Sequence, residues 1–390
     1  MSDLLSRPVA YSGRSSFAAR RGLLRELDWV LIAVTAGLTA IGTVLVWSAT
    51  APMLEAAGLS THTYLKKQLL NVALGVVLLV AFSVMDHRRL RAYVPLAYGV
   101  SLVLLVGVLA SAPVNGAHAW IELPGGFQLE PSEFAKLGLI GAAALILSPR
   151  TIGHPRPGLK HVALAVLAAL PLIGLVEKEP ALGVTLVLVA VLAAMVVVSG
   201  IRLYWVVGGA LGVAAAVYGV ATMHLLHGYQ LTRLTSFLHP ENDLAGAGYN
   251  EIEAKIAVGS GGMFGQGLFH GSLIANNYVP SQETDFIFTV AGEELGFVGC
   301  AVIIALLGLL VFRAIRIAMT ADDQFGMLVA TGIAVWFAFQ GFVNIGMTIG
   351  IMPITGLPLP FVSYGGSAVF ADMIAVGLLQ SIHRHRSLFT

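Results

Sequence analysis

Two things are scarce in this chain. Charged side chains make up 11% of its 390 residues, against about 25% in a soluble globular domain. So little polar surface cannot cover water-facing cores, which excludes the two or three soluble domains the length alone would suggest. At 57% hydrophobic residues the chain is not disordered either. Cysteine is scarcer still: Cys300 stands alone, excluding a disulfide framework and a cysteine-ligated metal site. The net charge of +1 argues against a general nucleic-acid binder. No short hydrophobic region with a small-residue cleavage site opens the chain. Residues 1–27 are polar and basic and read as a cytoplasmic tail rather than a signal peptide. What remains is an integral membrane protein.

A membrane helix needs about 20 mostly apolar residues. Ten stretches qualify, centred on 29–49, 68–85, 93–112, 132–148, 160–176, 180–200, 203–224, 285–312, 326–348 and 361–382. The fourth is short and the fifth is bounded by Pro171. The expected fold is an all-α integral membrane protein of about ten transmembrane helices with a long, partly ordered extracellular loop at 225–284. The polytopic domain is read as 28–383 and a cytoplasmic C-terminal tail as 384–390. Basic residues test the count. With both termini inside, 16 of the 22 Lys and Arg fall on the inner side; Lys66, Lys67, Lys136, Lys178, Arg233 and Lys255 fall outside. That bias supports the orientation and an even number of spans. Twelve of the 21 acids lie at outer segments or helix ends. Negative charge contributes little to topology, so these acids are either ordinary loop solvation or an outward-facing site.

Within the long loop, Tyr249, Ile252 and Ile256 sit at helical spacing while Glu251 and Lys255 form an i,i+4 pair on another face, the pattern of a short interfacial helix. A glycine-rich run, 259–267, follows. It matches neither a P-loop nor a dinucleotide fingerprint, and reads first as a flexible turn re-entering the interface, second as a phosphate cradle. HExxH, GxSxG and zinc spacings are missing from the whole chain.

The acids near the membrane carry the chemistry. Asp285 opens the eighth span, with Glu293 and Glu294 eight and nine residues on. Ionisable groups at that depth are costly and usually functional or paired. On one continuous helix, Glu293 would lie about 80° around the axis from Asp285 and Glu294 opposite, so at most one of them shares a site with Asp285. Asp372 lies mid-way along the tenth span, where a functional and a structural reading weigh equally. Glu133 and Lys136 share a face at the start of the fourth span and are read as facing a cavity. The Glu177-Lys178-Glu179-Pro180 hairpin reads as solvated charge, Trp120 as an interfacial anchor, and Arg233 as suited to bidentate phosphate contact.

Taken in order, these segments resemble the SEDS family (shape, elongation, division and sporulation) of cell-wall polymerases. The resemblance is carried by Trp47-Ser48-Ala49, Pro131-Ser132-Glu133 with Lys136, Gly246-Ala247-Gly248-Tyr249-Asn250 and Lys255 through Gly262. Thr284-Asp285-Phe286-Ile287-Phe288, Glu293-Glu294-Leu295-Gly296, Asn344-Ile345-Gly346-Met347, Pro358-Leu359-Pro360 and Ser363 through Ser367 complete it. Gly-Ala-Gly-Tyr and Val343 through Met347 look more like the RodA elongation branch than the FtsW division branch. The resemblance implies ten helices in the bacterial cytoplasmic membrane and a peptidoglycan glycosyltransferase. It implies lipid II, a disaccharide-pentapeptide on undecaprenyl diphosphate, as substrate, and a class B penicillin-binding protein as transpeptidase partner. Asp285 matches the family's essential acid, and Glu133 and Lys136 match charged positions of the same cavity. Two departures stand out. Ala181 replaces an acid usual after the proline, where Glu179 is a candidate to compensate, and Asp372 falls where an apolar residue is expected.

Joining two sugars requires deprotonating an acceptor hydroxyl and stabilising a departing diphosphate. Asp285 is the candidate general base, or a ligand for a divalent cation (Mg or Mn) that positions the diphosphate. Lys136, Arg233 and Lys255 are candidates for diphosphate contact, with Glu133 grouped in the same substrate site. The rival readings are a lipid II flippase, a division polymerase, and a non-catalytic scaffold that would survive loss of Asp285.

Overall fold

The structure is a computed structural model. It describes residues 26–111, 119–123, 127–148, 157–179, 181–202, 204–205, 208–209, 212, 236–237, 239–242, 246–276 and 278–385. The expected seventh span (203–224) lies largely outside the described residues, as do Arg233 and the first part of the long loop.

Long apolar runs become helices because only intrachain hydrogen bonds satisfy the backbone in hydrocarbon. They are α1 (Trp29–Ala56), α2 (Thr63–Val84), α3 (Val94–Leu109), α4 (Pro131–Leu147), α5 (Leu159–Lys178) and α6 (Leu182–Val198), then α7 (Ala247–Ser260), α8 (Ile287–Met319), α9 (Gln324–Thr348) and α10 (Gly366–Arg384). Among the described residues, seven helical segments are long and apolar enough to cross a membrane; α6 is a shorter apolar helix. The fourth expected span is α4, which opens with Pro131 in its first turn and carries Glu133 and Lys136 into the bundle. The helix α5 does not stop at Pro171, as the sequence suggested, but runs through it to Lys178.

The bundle is pinned at one end by Asp28. Its carboxylate caps α1 through the Leu31 amide and accepts from Arg313 Nε on α8 at 2.9 Å. Its backbone exchanges two hydrogen bonds with the Gln380 side chain on α10. The all-α expectation needs one amendment. Ile121–Leu123 (β1) and Phe127–Leu129 (β2) form a two-stranded antiparallel ribbon with Glu122 opposite Gln128.

The long loop contains α7, at the spacing expected, but the burial is the reverse of a soluble amphipathic helix. Ile256 is exposed, while Glu251, Ala254 and Ala257 face the protein. After α7 the glycine-rich run docks into a break in α8. Gly296 there has φ +67°, the left-handed region that glycine adopts without a Cβ penalty. The break frees backbone groups, and the loop takes them up. Gln266 and Gly267 amides donate to the Glu293 and Glu294 carbonyls at 2.9 and 3.0 Å. Phe297 and Val298 amides donate to Gly262 and Met263 carbonyls at 2.9 and 3.1 Å. A Cβ on Gly296 would collide with the Gly265 backbone. Non-helical backbone at this depth requires such protein partners. The run is therefore an ordered seam, with the Gln266 and Gly267 amides spent on α8 and those of Gly262 and Gly265 on carbonyls within the run.

Candidate functional site

Asp285 does not lie in a helix. It sits in a turn closed by Thr284 and Phe286 amides donating to the Ser281 carbonyl, and α8 begins two residues later. The angular argument from Asp285 to Glu293 and Glu294 therefore fails, because a turn intervenes. Both glutamates instead hold the seam. Glu294 Oε1 accepts from Ser48 Oγ on α1 at 2.6 Å and from the Phe269 amide at 3.1 Å. Glu293 accepts from the Leu273 and Ile274 amides at 2.9 and 3.2 Å, capping the short helix Ser272–Ala275. Trp47 packs its ring edge-on against Phe269. The Trp47-Ser48-Ala49 and Glu293-Glu294 blocks thus meet in one structural contact.

The Asp285 turn is clamped by the segments that bore the other motifs. Asn344 Nδ2 on α9 donates to the Asp285 carbonyl at 2.7 Å and to the Leu357 carbonyl at 2.6 Å. Ser363 Oγ donates to the Thr284 carbonyl at 2.6 Å, and the Tyr364 amide to the Glu283 carbonyl at 2.8 Å. Gly356, at φ +72°, brings bare backbone to the carboxylate: a Cβ there would stand 3.6 Å from Asp285 Oδ2. Three stretches far from it in sequence fix this one turn.

Beneath lies the Glu133–Lys136 pair on α4, both fully buried. Lys136 Nζ donates to Glu133 Oε1 and Oε2 at 2.8 and 2.7 Å and to Gln340 Oε1 at 2.8 Å, and it lies 4.6 Å from the Trp336 ring centroid. Trp336 Nε1 donates to the same Gln340 oxygen, and Gln340 Nε2 to the Pro358 carbonyl. All three ammonium hydrogens are used, so in this conformation Lys136 acts on the site through its charge and through Gln340. Asp372 lies within electrostatic reach of both partners. Its Oδ2 accepts from the Phe361 amide at 3.0 Å, which holds Phe361 at φ +63° beside Pro358-Leu359-Pro360. That is a structural role for the unexpected acid.

Two further acids belong here, Glu130 and Glu179. Glu130 at the mouth of α4 accepts from Trp120 Nε1 at 3.2 Å and Ser132 Oγ at 2.9 Å. Trp120 is thus bound to the site as well as near the interface. Burial, with the charges of Glu133 and Asp285, pushes the Glu130 carboxyl up to about 7, against the pull of Ser132 and Lys136. Glu179, expected to be solvated, is 2% exposed, and neither oxygen has a hydrogen-bond partner among the described residues. Burial, then the charge of Glu130, pushes it up to about 8. It turned inward because the start of α6 packs on the loop after α9, Gly183 lying against Thr355 and Leu357.

Glu130, Glu133, Glu179, Asp285 and Asp372 therefore share one region with Lys136. Lys255 lies on α7, paired with Glu251 at 3.0 Å beside Gly350. Arg233 lies outside the described residues. For a metal, the hard oxygens around Asp285 suit Mg or Mn. Among the described residues, however, they do not form a group of three ligand atoms within 4.8 Å of one another.

Residues 28–388 match the family model of the FtsW/RodA/SpoVE cell cycle proteins. The chain belongs to this family. Its FtsW/RodA/SpoVE relatives include a protein of Trichlorobacter lovleyi named a probable peptidoglycan glycosyltransferase FtsW, 40% identical with 92% of this chain and 93% of the relative covered. The peptidoglycan glycosyltransferase MrdB of Escherichia coli K12 is 36% identical over 94% and 95%. Among solved structures, a chain from work on structural coordination of polymerization and crosslinking by a peptidoglycan synthase complex superposes with a TM-score of 0.76. It is 32% identical and covers 93% of this chain and 99% of its own. Rod shape determining protein RodA of Thermus thermophilus gives a TM-score of 0.66 at 31% identity over 92% of this chain and 97% of its own. The FtsW/RodA/SpoVE assignment thus agrees with the SEDS motifs gathered around Asp285.

Proposed function

We propose that this chain is a peptidoglycan glycosyltransferase that polymerises lipid II at the outer face of the cytoplasmic membrane, with Asp285 as the group that takes the proton of the acceptor hydroxyl. The observation that carries the reading is the convergence of Asn344, Gly356 and the Ser363-Tyr364 segment on the Asp285 turn. Preorganised groups aimed at developing charge are usually the largest catalytic contribution. The Lys and Arg bias of the spans supports placing this end of the bundle outward, with both termini cytoplasmic.

The charge of the site limits how a diphosphate can approach. Five carboxyls face one ammonium. Near neutral pH, Glu179, at about 8, is mostly neutral and Glu130, at about 7, is partly so, which lowers the repulsion. Asp285 is the residue that would hold a divalent cation, and such an ion would supply stabilisation of the leaving charge. Lys255, and Arg233 from the long loop, are the basic residues we assign to the substrate's phosphates.

Assignment to cell elongation rests on the RodA-like Gly246-Ala247-Gly248-Tyr249 and Val343 through Met347 segments. The 40% identical relative named FtsW favours the second reading, a division polymerase. Complementation of cells depleted of either activity separates the two. The synthase complex among the structural neighbours supports a class B penicillin-binding protein as partner.

The test is to incubate the purified full-length chain with lipid II and resolve glycan on a gel. The wild type is expected to make polymer, and Asp285→Ala and Asp285→Asn none, with unchanged elution and melting. Near-normal glycan from either variant overturns the assignment. Transfer of labelled lipid II across vesicles without glycan would establish the flippase instead.

A further inference from the structure

At the end of the bundle opposite Asp285, a second polar cluster is built from three separate segments. The helix α9 connects the two ends: Asp323 caps its start and Asn344 touches Asp285. At 1.5 Å per residue these lie about 30 Å apart. His87 is 3% exposed, and its Nε2 meets Asp323 Oδ1 at 2.7 Å. A carboxylate can only accept, so Nε2 carries the proton and, in the neutral ring, Nδ1 carries a lone pair. That Nδ1 is buried and has no hydrogen-bond partner among the described residues. It lies 3.7 Å from Asp86 Oδ1. The third member, His385 at the end of α10, packs its ring 5.8 Å from that of His87. Its Nδ1 lies 2.8 Å from the Ser381 carbonyl. A carbonyl also only accepts, so Nε2 of His385 is the free lone pair.

We propose that Asp86, His87 and His385 form a binding site for a divalent transition-metal ion of the zinc type, with Asp323 as the carboxylate that orients His87. The ligand atoms all lie within 4.8 Å of one another. Two ligands of a tetrahedral zinc at about 2.1 Å stand about 3.4 Å apart, so the Asp86–His87 spacing of 3.7 Å already fits and His385 lies within reach by a small side-chain movement. The Asp323–His87 contact is the carboxylate–histidine arrangement that fixes the tautomer of a metal-binding imidazole. An unpartnered buried nitrogen is otherwise a cost to the fold. Two further hydrogen bonds hold the frame rigid: the His87 amide donates to Ser381 Oγ at 3.0 Å, and Ser381 Oγ to the Met85 carbonyl at 2.6 Å. Asp86 and His385 are partly exposed, which leaves an entry path and a position for water. The ion would tie the turn before α3, the start of α9 and the end of α10 together.

The test uses the full-length chain without a polyhistidine tag, in detergent micelles, equilibrated with zinc and then desalted. Wild type is expected to retain one zinc per chain, to melt higher with zinc than with magnesium, and to show the visible absorption of four-coordinate cobalt when loaded with that ion. Asp86→Asn and His385→Ala, both at partly exposed positions, should abolish retention and the zinc-dependent shift in melting. Asp323→Asn should weaken binding by about 10–100-fold. Absence of stoichiometric zinc in the folded wild type overturns the proposal, as does equal retention by His385→Ala and Asp86→Asn.

Discussion

Replacing Lys136 by Met tests the electrostatic frame of the site. Methionine keeps most of the apolar stem over Trp336 but removes the charge, leaving Glu133 fully buried without its cation. At an effective dielectric of about 20, opposite charges separated by 2.7 Å attract by about 6 kcal/mol. Desolvation offsets much of that, and breaking a buried pair by removing one partner costs about 3–5 kcal/mol. Glu133→Gln/Lys136→Met has no stranded charge and should lose far less than the sum of the single changes, giving a coupling of about 2–3 kcal/mol. The assay is unfolding in mixed micelles by increasing dodecyl sulfate, run on all four members of the cycle. Additive losses, or a Lys136→Met cost below about 1 kcal/mol, would refute the claim that this pair is a closed, dry ion pair. Glycan synthesis in the same variants reports separately. Asp285 is untouched, yet Lys136→Met should lower activity, because Glu133, Glu130 and Asp285 then repel a diphosphate without opposition.

The other predictions concern protonation and the seam. Glu179 has a folded value of about 8 against an ordinary 4.5. A raised acid favours the fold fully below the unfolded value and progressively loses that contribution as pH rises through the folded one. Glu179→Gln should therefore match the wild type in stability near pH 4 and exceed it at pH 9. It should also extend glycan synthesis upward in pH; an unchanged profile in both assays would show Glu179 to be solvated. Gly296→Ala forces a side chain into the left-handed region, costing about 1–2 kcal/mol, and drives a Cβ into the Gly265 backbone. Limited proteolysis should then cut within 261–276 in the variant alone, and stability within about 0.5 kcal/mol of wild type would contradict the docked seam.

Apolar runs made the helices legible, since a bilayer leaves the backbone few alternatives. The ribbon at 121–129 had a readable signal that was passed over: Ile121-Glu122-Leu123 and Phe127-Gln128-Leu129 alternate around Pro124-Gly125-Gly126, the pattern of a hairpin. Asp285 was visible as an acid at a membrane boundary and through the motif resemblance. The turn that carries it was not, because its hydrogen bonds come from residues 59 to 79 positions away. Glu179 was misread for a similar reason. A Glu-Lys-Glu hairpin is solvated by default, and only the packing of Gly183 against Thr355 and Leu357 turns one of its acids inward. Lys136 and Glu133 were paired correctly from their spacing, but Gln340, which takes the third ammonium hydrogen, lies 204 residues away.

The acids of the core sort into two sets with different duties, and one glutamine joins them. Both oxygens of Glu293 and Oε1 of Glu294 accept from backbone amides and Ser48, which holds the re-entrant seam against α1 and α8; Glu294 Oε2 has no partner among the described residues. Around Asp285 the pairing is uneven: both oxygens of Glu133 and of Glu130 accept from donors, whereas Glu179 lacks partners and Asp372 Oδ1 is unpaired among the described residues. A bundle selected for stability alone would not keep such groups, since each unpaired buried carboxyl is costly. Gln282 connects the sets, donating to the Ala49 carbonyl on α1 at 3.0 Å and to the Ile274 carbonyl in the seam at 3.2 Å, three residues before Asp285. The seam thus anchors the segment that leads into the Asp285 turn. The seam acids supply rigidity, and Glu130 and Glu179 supply protonation states close to neutral pH. A site that must move a proton beside a diphosphate needs both.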